Sequence, residues 1–146
     1  LGIEIDPDGL DEDRAEVLAK KLVIGEYVLK CPTLLTNYTC NIAIIPLLSI
    51  FDVYNYLMSY ADYCHASFRD YEKMEGYTMA KDGYVLDLQF AKYPDTPQFM
   101  GIKSKVKPRT QEKDPITKLK HYSVWIIMTS GDGSRVHSSY CSCKGG

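Results

Sequence analysis

The stretch that decides the fold is residues 122–141, YSVWIIMTSGDGSRVHSSYC. Its beginning, YSVWIIMT, is rich in β-branched and aromatic residues, which favour strands. The glycines at 131 and 133 suit a tight turn, because glycine readily adopts the positive φ angles that hairpin turns require. The sequence therefore predicts that residues 122–129 and 134–141 pair as an antiparallel hairpin, with Cys141 and Cys143 where its last strand ends.

Two further strands are predicted upstream of this hairpin. Residues 84–90, YVLDLQF, alternate with the period of two that is typical of a half-buried strand. In residues 99–109, FMGIKSKVKPR, lysines alternate with Ile102, Ser104 and Val106, so the two sets of side chains lie on opposite faces of a strand. Together the strands form a four-stranded antiparallel meander that ends at the Cys-x-Cys.

Helices are predicted before the meander. Residues 10–24 have roughly helical apolar spacing, with acidic residues first and lysines last, which suits the helix dipole. Residues 51–80 contain two runs in which tyrosines, methionines and aliphatic residues recur on one helical face, and core packing explains this spacing. The predicted fold class is therefore α+β, with N-terminal helices followed by the meander.

Composition limits the function without naming a partner. The chain has 146 residues, a net charge of -2, an acidic start and a lysine-rich segment at residues 98–121. Its five cysteines are an odd number, so they cannot all pair within the chain. The N-terminus does not resemble a secretory signal. We therefore predict a reducing, intracellular location, with the nucleus as one option.

Residues 31–51 contain no charged residue and are nearly as long as a membrane span. However, Pro32, Asn37, Asn41 and Pro46 interrupt this segment. A buried segment, or a segment foreign to the parent fold, is therefore favoured over a membrane span.

The string YSVWIIMTSGDGSRVHSSYCSCKGG at residues 122–146 resembles the front half of a SWIM-type zinc finger. That family has Cys-x-Cys, a spacer and Cys-x-His after a strand hairpin. Upstream, FDVYNYLM, YEKMEGYTMAKDGYV and IKSKVKPRT are similar to a subgroup in which the finger often precedes a YqaJ-type (lambda-exonuclease-like) nuclease domain. The resemblance covers about residues 51–146, so residues 1–50 are interpreted as a divergent segment.

The resemblance implies that Cys141 and Cys143 are the first two zinc ligands. The third and fourth ligands of the family, a Cys and a His, would follow the glycines, so we expect the zinc site to be incomplete here. A structural zinc site takes four donors, and tight zinc binding by these 146 residues alone is therefore not expected. His121 and His137 precede the cysteines on strands, and His65 lies on a predicted helix, so none of them is a favoured ligand.

A second candidate site is the lysine face of the predicted strand at residues 99–109. Lys103, Lys105 and Lys107, with Arg109 just beyond, could neutralise the phosphates of a nucleic acid, with an affinity that falls as salt rises. The alternative is that these lysines only protect an exposed strand from aggregation.

No catalytic constellation or phosphate-binding loop is recognisable in the sequence, and no small-molecule substrate is evident. The favoured function is a zinc-finger binding module that engages DNA or protein. The alternative is the accessory N-terminal region of a YqaJ-type nuclease, whose catalytic domain would lie downstream. A structural domain without a ligand is a third reading.

Overall fold

We describe residues 12–45, 56, 75–108, 113, 120–129 and 135–143 in a computed structural model of the chain. The elements whose bounds fall within this part of the chain are two helices and six strands, together with two short 3-10 turns. In chain order they are α1 (Glu12–Lys21), β1 (Val23–Ile24), β2 (Tyr27–Val28), the 3-10 turns Pro32–Leu34 and Ile42–Ile44, α2 (Glu75–Lys81), β3 (Val85–Lys92), β4 (Phe99–Val106), β5 (Tyr122–Thr129) and β6 (Arg135–Cys141).

The predicted meander is confirmed. Strands β3 to β6 form one sheet in the order β3-β4-β5-β6, and each neighbouring pair is antiparallel. The predicted hairpin is the β5–β6 pair, in which Val124 lies opposite Cys141 and Thr129 opposite Arg135. The fold class is therefore α+β, as predicted, and the sheet ends at the cysteines.

The first helix is shorter than predicted. It ends at Lys21 instead of continuing to residue 24, and Val23–Ile24 pairs with Tyr27–Val28 as a small hairpin. Gly25 has a φ of 60°, which permits the tight turn between the two short strands. The β-branched Val23 and Ile24 favour the strand over another helical turn. The turn at Gly25 and the strand preference of Val23 and Ile24 therefore end the helix earlier than its apolar spacing predicted.

The sheet's main face carries the larger hydrophobic core. Helix α1 and the segment after it lie over this face, and Leu22, the first residue after the helix, is fully buried in the core. Gly101 permits the close approach, because a Cβ at this position would lie 3.2 Å from Leu35 Cδ1. The buried residues of this core are Leu18, Leu22, Leu29, Cys31, Leu35, Ala91, Tyr93, Phe99, Trp125, Ile127 and Tyr140.

The opposite face carries a smaller core. Phe90, Met100 and Met128 are buried there, and Ile44 and Ile45 pack against them. The segment that follows Leu35 therefore contributes side chains to the second face as well as the first.

The uncharged segment crosses the edge of the sheet between these two faces. Thr39 pairs with Phe90 of β3 through two backbone hydrogen bonds of 2.9 Å. The Asn37 side chain also donates to the Lys92 carbonyl at 2.8 Å. The described part of this segment, residues 31–45, thus packs on the sheet. No helix among the described residues is long and apolar enough to cross a membrane.

The predicted division near residue 50 separates residues that share a core. Leu18 and Leu22, from the N-terminal segment, join the same buried cluster as Trp125 and Tyr140. Most of the predicted helical runs in residues 51–80 lie outside the described residues. Of that stretch, Tyr56 is helical and its hydroxyl hydrogen-bonds the Ser139 hydroxyl at 2.8 Å, while α2 falls at its end.

Candidate functional site

The two candidate zinc ligands lie at the end of the edge strand β6. Cys141 is the last residue of the strand, and both Cys141 and Cys143 are half-buried. Ser142 between them is 2% exposed and is fixed to β5 twice. Its N–H donates to the Ser123 carbonyl at 2.9 Å, and its hydroxyl accepts from the Ser123 N–H at 2.9 Å. The residue between the thiols is therefore held by the sheet.

The Cys143 N–H donates to Cys141 Sγ at 3.3 Å. This contact orients the first thiol, in the way that hydrogen bonds from surrounding groups orient metal ligands. None of the four cysteines that the structure describes forms a disulfide. The thiol groups of Cys141 and Cys143 are thus arranged as neighbours at a fixed strand end.

Two basic residues of α1 hold the backbone around the cysteines. The Arg14 guanidinium donates to the Ser142 carbonyl at 3.2 Å and to the Cys143 carbonyl at 2.8 Å. The Lys21 ammonium donates to the Ser139 carbonyl at 2.7 Å. These carbonyls would otherwise project from the edge of the sheet, so α1 covers the edge and fixes the Cys-x-Cys segment at once.

The electrostatics of Lys21 reflect its position. Burial lowers the pKa of the Lys21 ammonium, and the nearby thiols of Cys141 and Cys143 act in the opposite direction.

The histidines do not join the thiol pair. Within the described ranges, no group of three or more His, Cys, Asp or Glu residues could hold a metal ion. His137 Nε2 hydrogen-bonds the Thr129 hydroxyl, and the imidazole packs edge-on against Phe99 with ring centroids 5.7 Å apart. Burial, and to a smaller extent Arg135, lower the pKa of His137. His65 lies outside the described residues.

The lysines of β4 alternate along the strand as predicted, but their face is not a uniform, open surface. Lys103 is half-buried, with its ammonium 4.0 Å from the centroid of the Tyr38 ring, and Lys105 forms an ion pair of 3.4 Å with Asp87. Lys107 is exposed, and Arg109 lies outside the described residues. The lysines also lie on a central strand instead of at an edge, since β4 pairs with both β3 and β5.

Lys103 and Lys105 line an open depression with a volume of about 320 Å³. It spans three strands, because Gln89, Lys103 and Trp125 lie opposite one another on β3, β4 and β5. The lining therefore combines two ammonium groups with amide and hydroxyl groups, over a tryptophan that is almost completely buried. Its residues are Thr33, Asp87, Gln89, Lys103, Ser104, Lys105, Ser123, Val124 and Trp125.

Comparison with known proteins gives no relative for this site: no family model, curated protein or solved structure matches the chain. The resemblance to a SWIM-type zinc finger therefore stays a prediction.

Sequence reasoning did not identify four residues that shape these two sites. Arg14 and Lys21 lie more than a hundred residues before the strand end that they hold, and Asp87 and Tyr38 engage the lysines from other parts of the chain. Only the alternation of the lysines and the spacing of the cysteines were visible locally. The partners depend on the tertiary fold, for which the sequence carries no local signal.

Proposed function

We propose that this protein is a binding module that supplies two thiol ligands to a zinc site and engages nucleic acid through its basic strand. The observation that supports the proposal is that hydrogen bonds fix the Cys-x-Cys segment in place. Ser142 is paired to β5, Arg14 binds the carbonyls of residues 142 and 143, and the Cys143 N–H donates to Cys141 Sγ. Ligands that are oriented before the metal arrives bind it with a smaller loss of entropy.

Cys141 and Cys143 would hold the zinc ion as thiolates, and a structural ion of this kind would link the strand end to the segment carrying the remaining donors. The described residues offer these two donors, and a tetrahedral site takes four. By the resemblance to the SWIM family, we assign the other two to a Cys and a His of a further segment. This assignment makes zinc binding a property of the strand end together with that segment.

The test is metal titration of the chain continued past Gly146 by a Cys-x-His segment. With Co²⁺ as a spectroscopic substitute, it should bind one ion and show the charge-transfer absorption of thiolate ligands. Cys141→Ser and Cys143→Ser should each weaken binding at least tenfold. Cys40→Ser is the matched control, because Cys40 is exposed and lies in the segment across the other edge of the sheet.

A second control is residues 1–146 alone, which should bind Co²⁺ weakly because two thiolates leave half of the coordination to water. The proposal is wrong if Cys40→Ser weakens binding as much as Cys141→Ser does. It is also wrong if the extended chain binds no better than the shorter one.

The nucleic-acid part of the proposal rests on Lys103 and Lys105, which line one depression of the sheet. Contacts from lysine to phosphate carry no sequence preference and weaken steeply with salt. We therefore expect binding of low sequence selectivity that is strongest at low ionic strength. A labelled oligonucleotide and fluorescence anisotropy measure this directly, and binding that does not respond to salt would contradict it.

A further inference from the structure

The main face of the sheet changes character along β4. Phe99 and Gly101 lie beneath the N-terminal segment and belong to the hydrophobic core region. Further along the strand, Lys103 and Lys105 occupy the same face, because alternate residues of a strand share a face. The boundary is Tyr38, whose hydroxyl would lie 3.4 Å from a Cβ at Gly101 and whose ring lies beneath the Lys103 ammonium. One half of this face is thus apolar and covered, and the other half is polar and open.

The strand register gathers polar groups in the open half. Gln89 lies opposite Lys103, and Ser123 lies opposite Lys105. Thr33, from the 3-10 turn that covers the apolar half, forms part of the wall of the depression. Lysines, amides and hydroxyls all donate hydrogen bonds, so this lining suits a ligand that carries several acceptor oxygens and a negative charge.

Lys103 is positioned before any ligand arrives. Its ammonium lies over the Tyr38 ring, which attracts a cation through the negative charge of the ring face. The Tyr38 hydroxyl in turn donates to the Pro32 carbonyl at 2.6 Å, which fixes the ring. A side chain that is already ordered loses less entropy on binding than a mobile surface lysine.

Asp87 is the acidic residue in the lining, and its backbone is unusual. Its φ is 51°, in the left-handed region, and it lies in the irregularity of β3 between Leu86 and Gln89. This conformation accompanies the contact of its carboxylate with Lys105 at 3.4 Å. Both side chains are at least half exposed, so the ion pair is weak and a ligand can replace it.

We propose that this depression binds a phosphate group of single-stranded nucleic acid between Lys103 and Lys105, and that Asp87 competes with the phosphate for Lys105. This inference rests on the proposed function of the basic strand and specifies its ligand. We favour a single strand over a duplex because the flexible backbone of a single strand can place one phosphate inside the depression. The phosphates of a rigid duplex lie on a convex surface and cannot enter the depression in this way.

The test is fluorescence anisotropy of a labelled oligothymidine with the 146-residue chain, over a series of salt concentrations. Lys103→Gln and Lys105→Gln should each weaken binding and reduce the slope of log affinity against log salt by about 0.7, the value for one phosphate contact on a single strand. Lys103→Arg should retain binding, because arginine keeps both the charge and the ring contact. Asp87→Asn should tighten binding about two- to fivefold, the range that exposed ion pairs span.

Lys92→Gln is the matched control. Lys92 is exposed on β3 and lies opposite Met100, so its side chain is on the other face, and removing its charge should leave the slope unchanged. Asparagine tolerates positive φ as aspartate does, so Asp87→Asn keeps the backbone. If circular dichroism shows that the Lys103→Gln variant is unfolded, Lys105→Gln still provides the test, because the Lys105 side chain is half exposed.

The possible outcomes separate this inference from the function on which it rests. Absence of oligonucleotide binding by the wild-type chain at low salt refutes the proposed function of the basic strand. If Lys92→Gln and Lys105→Gln weaken binding equally, the protein binds nucleic acid but the depression is not the binding site. Asp87→Asn without tighter binding overturns the competition, and equal affinity for a duplex of the same length overturns the choice of a single strand.

Discussion

Replacing Leu22 with alanine tests whether the N-terminal segment belongs to the same folding unit as the sheet. Leu22 is fully buried in the core that contains Trp125 and Tyr140. Its N–H donates to the Ala19 carbonyl and its carbonyl accepts from the Leu29 N–H, so the backbone is held on both sides and the cavity cannot close completely. We therefore expect Leu22→Ala to lower the free energy of unfolding by about 3 kcal/mol.

The neighbouring Val23 provides a matched control. Its side chain is 46% exposed in the small β1–β2 hairpin, and Val23→Ala should cost no more than about 0.5 kcal/mol. Both variants truncate an aliphatic side chain at adjacent positions and differ chiefly in burial. The difference in stability therefore isolates the contribution of the shared core.

The assay is urea unfolding followed by tryptophan fluorescence. Trp125 is the only tryptophan in the chain, is 2% exposed, and stacks on Tyr140 of β6 at 5.6 Å between ring centroids. The signal thus comes from the sheet, whereas the mutation lies in the N-terminal segment. In thermal unfolding, the same loss should lower the midpoint by about 10 °C. If the sheet of Leu22→Ala unfolds at the wild-type urea concentration, the N-terminal segment does not contribute to its core.

Two further predictions concern the sheet. Gly101→Val should destabilise the protein by about 1–3 kcal/mol in urea unfolding, because even a Cβ at Gly101 would lie 3.2 Å from Leu35 Cδ1. If the variant were as stable as the wild type, the segment that contains Leu35 would not cover β4. The pKa of His137 is lowered in the folded protein, so the unfolded chain binds more protons and stability should fall as pH decreases through about 6.5 toward the lower folded value. His137→Gln should reduce this pH dependence of the free energy of unfolding between pH 7 and 5. An unchanged dependence would mean that other titratable groups cause it.

The sheet could be predicted from the sequence because its signals are local. Strand β5 has the predicted bounds, Tyr122–Thr129, and β6 ends at Cys141 as predicted but begins at Arg135, one residue later than predicted. Alternation also placed Lys103 and Ile102 on opposite faces, as their neighbours in the structure show. Periodicity reports how a strand divides its side chains between two faces.

Periodicity does not report what covers each face, and the prediction for the lysines was incomplete for this reason. The lysine side of β4 was expected to be an open outer surface, whereas the uncharged segment lies over part of it and places Tyr38 against Lys103. Similarly, the acidic and basic residues of α1 were interpreted through the helix dipole. The structure adds hydrogen bonds from Arg14 and Lys21 to a strand end more than a hundred residues away. Contacts of that separation depend on the completed fold.

The two outer strands of the sheet are both protected by the same part of the chain. Lys21 binds a carbonyl of β6 and Arg14 binds the carbonyls just after it, while Thr39 and Asn37 bind the backbone of β3. A single proteolytic cut near the exposed Cys40, followed by loss of the preceding residues, would remove these contacts from both strands together. Backbone groups of both outer strands would then lose these partners, and an exposed strand edge is a site at which another chain can add. The N-terminal segment would thus limit edge-to-edge association of the sheet as well as complete its core.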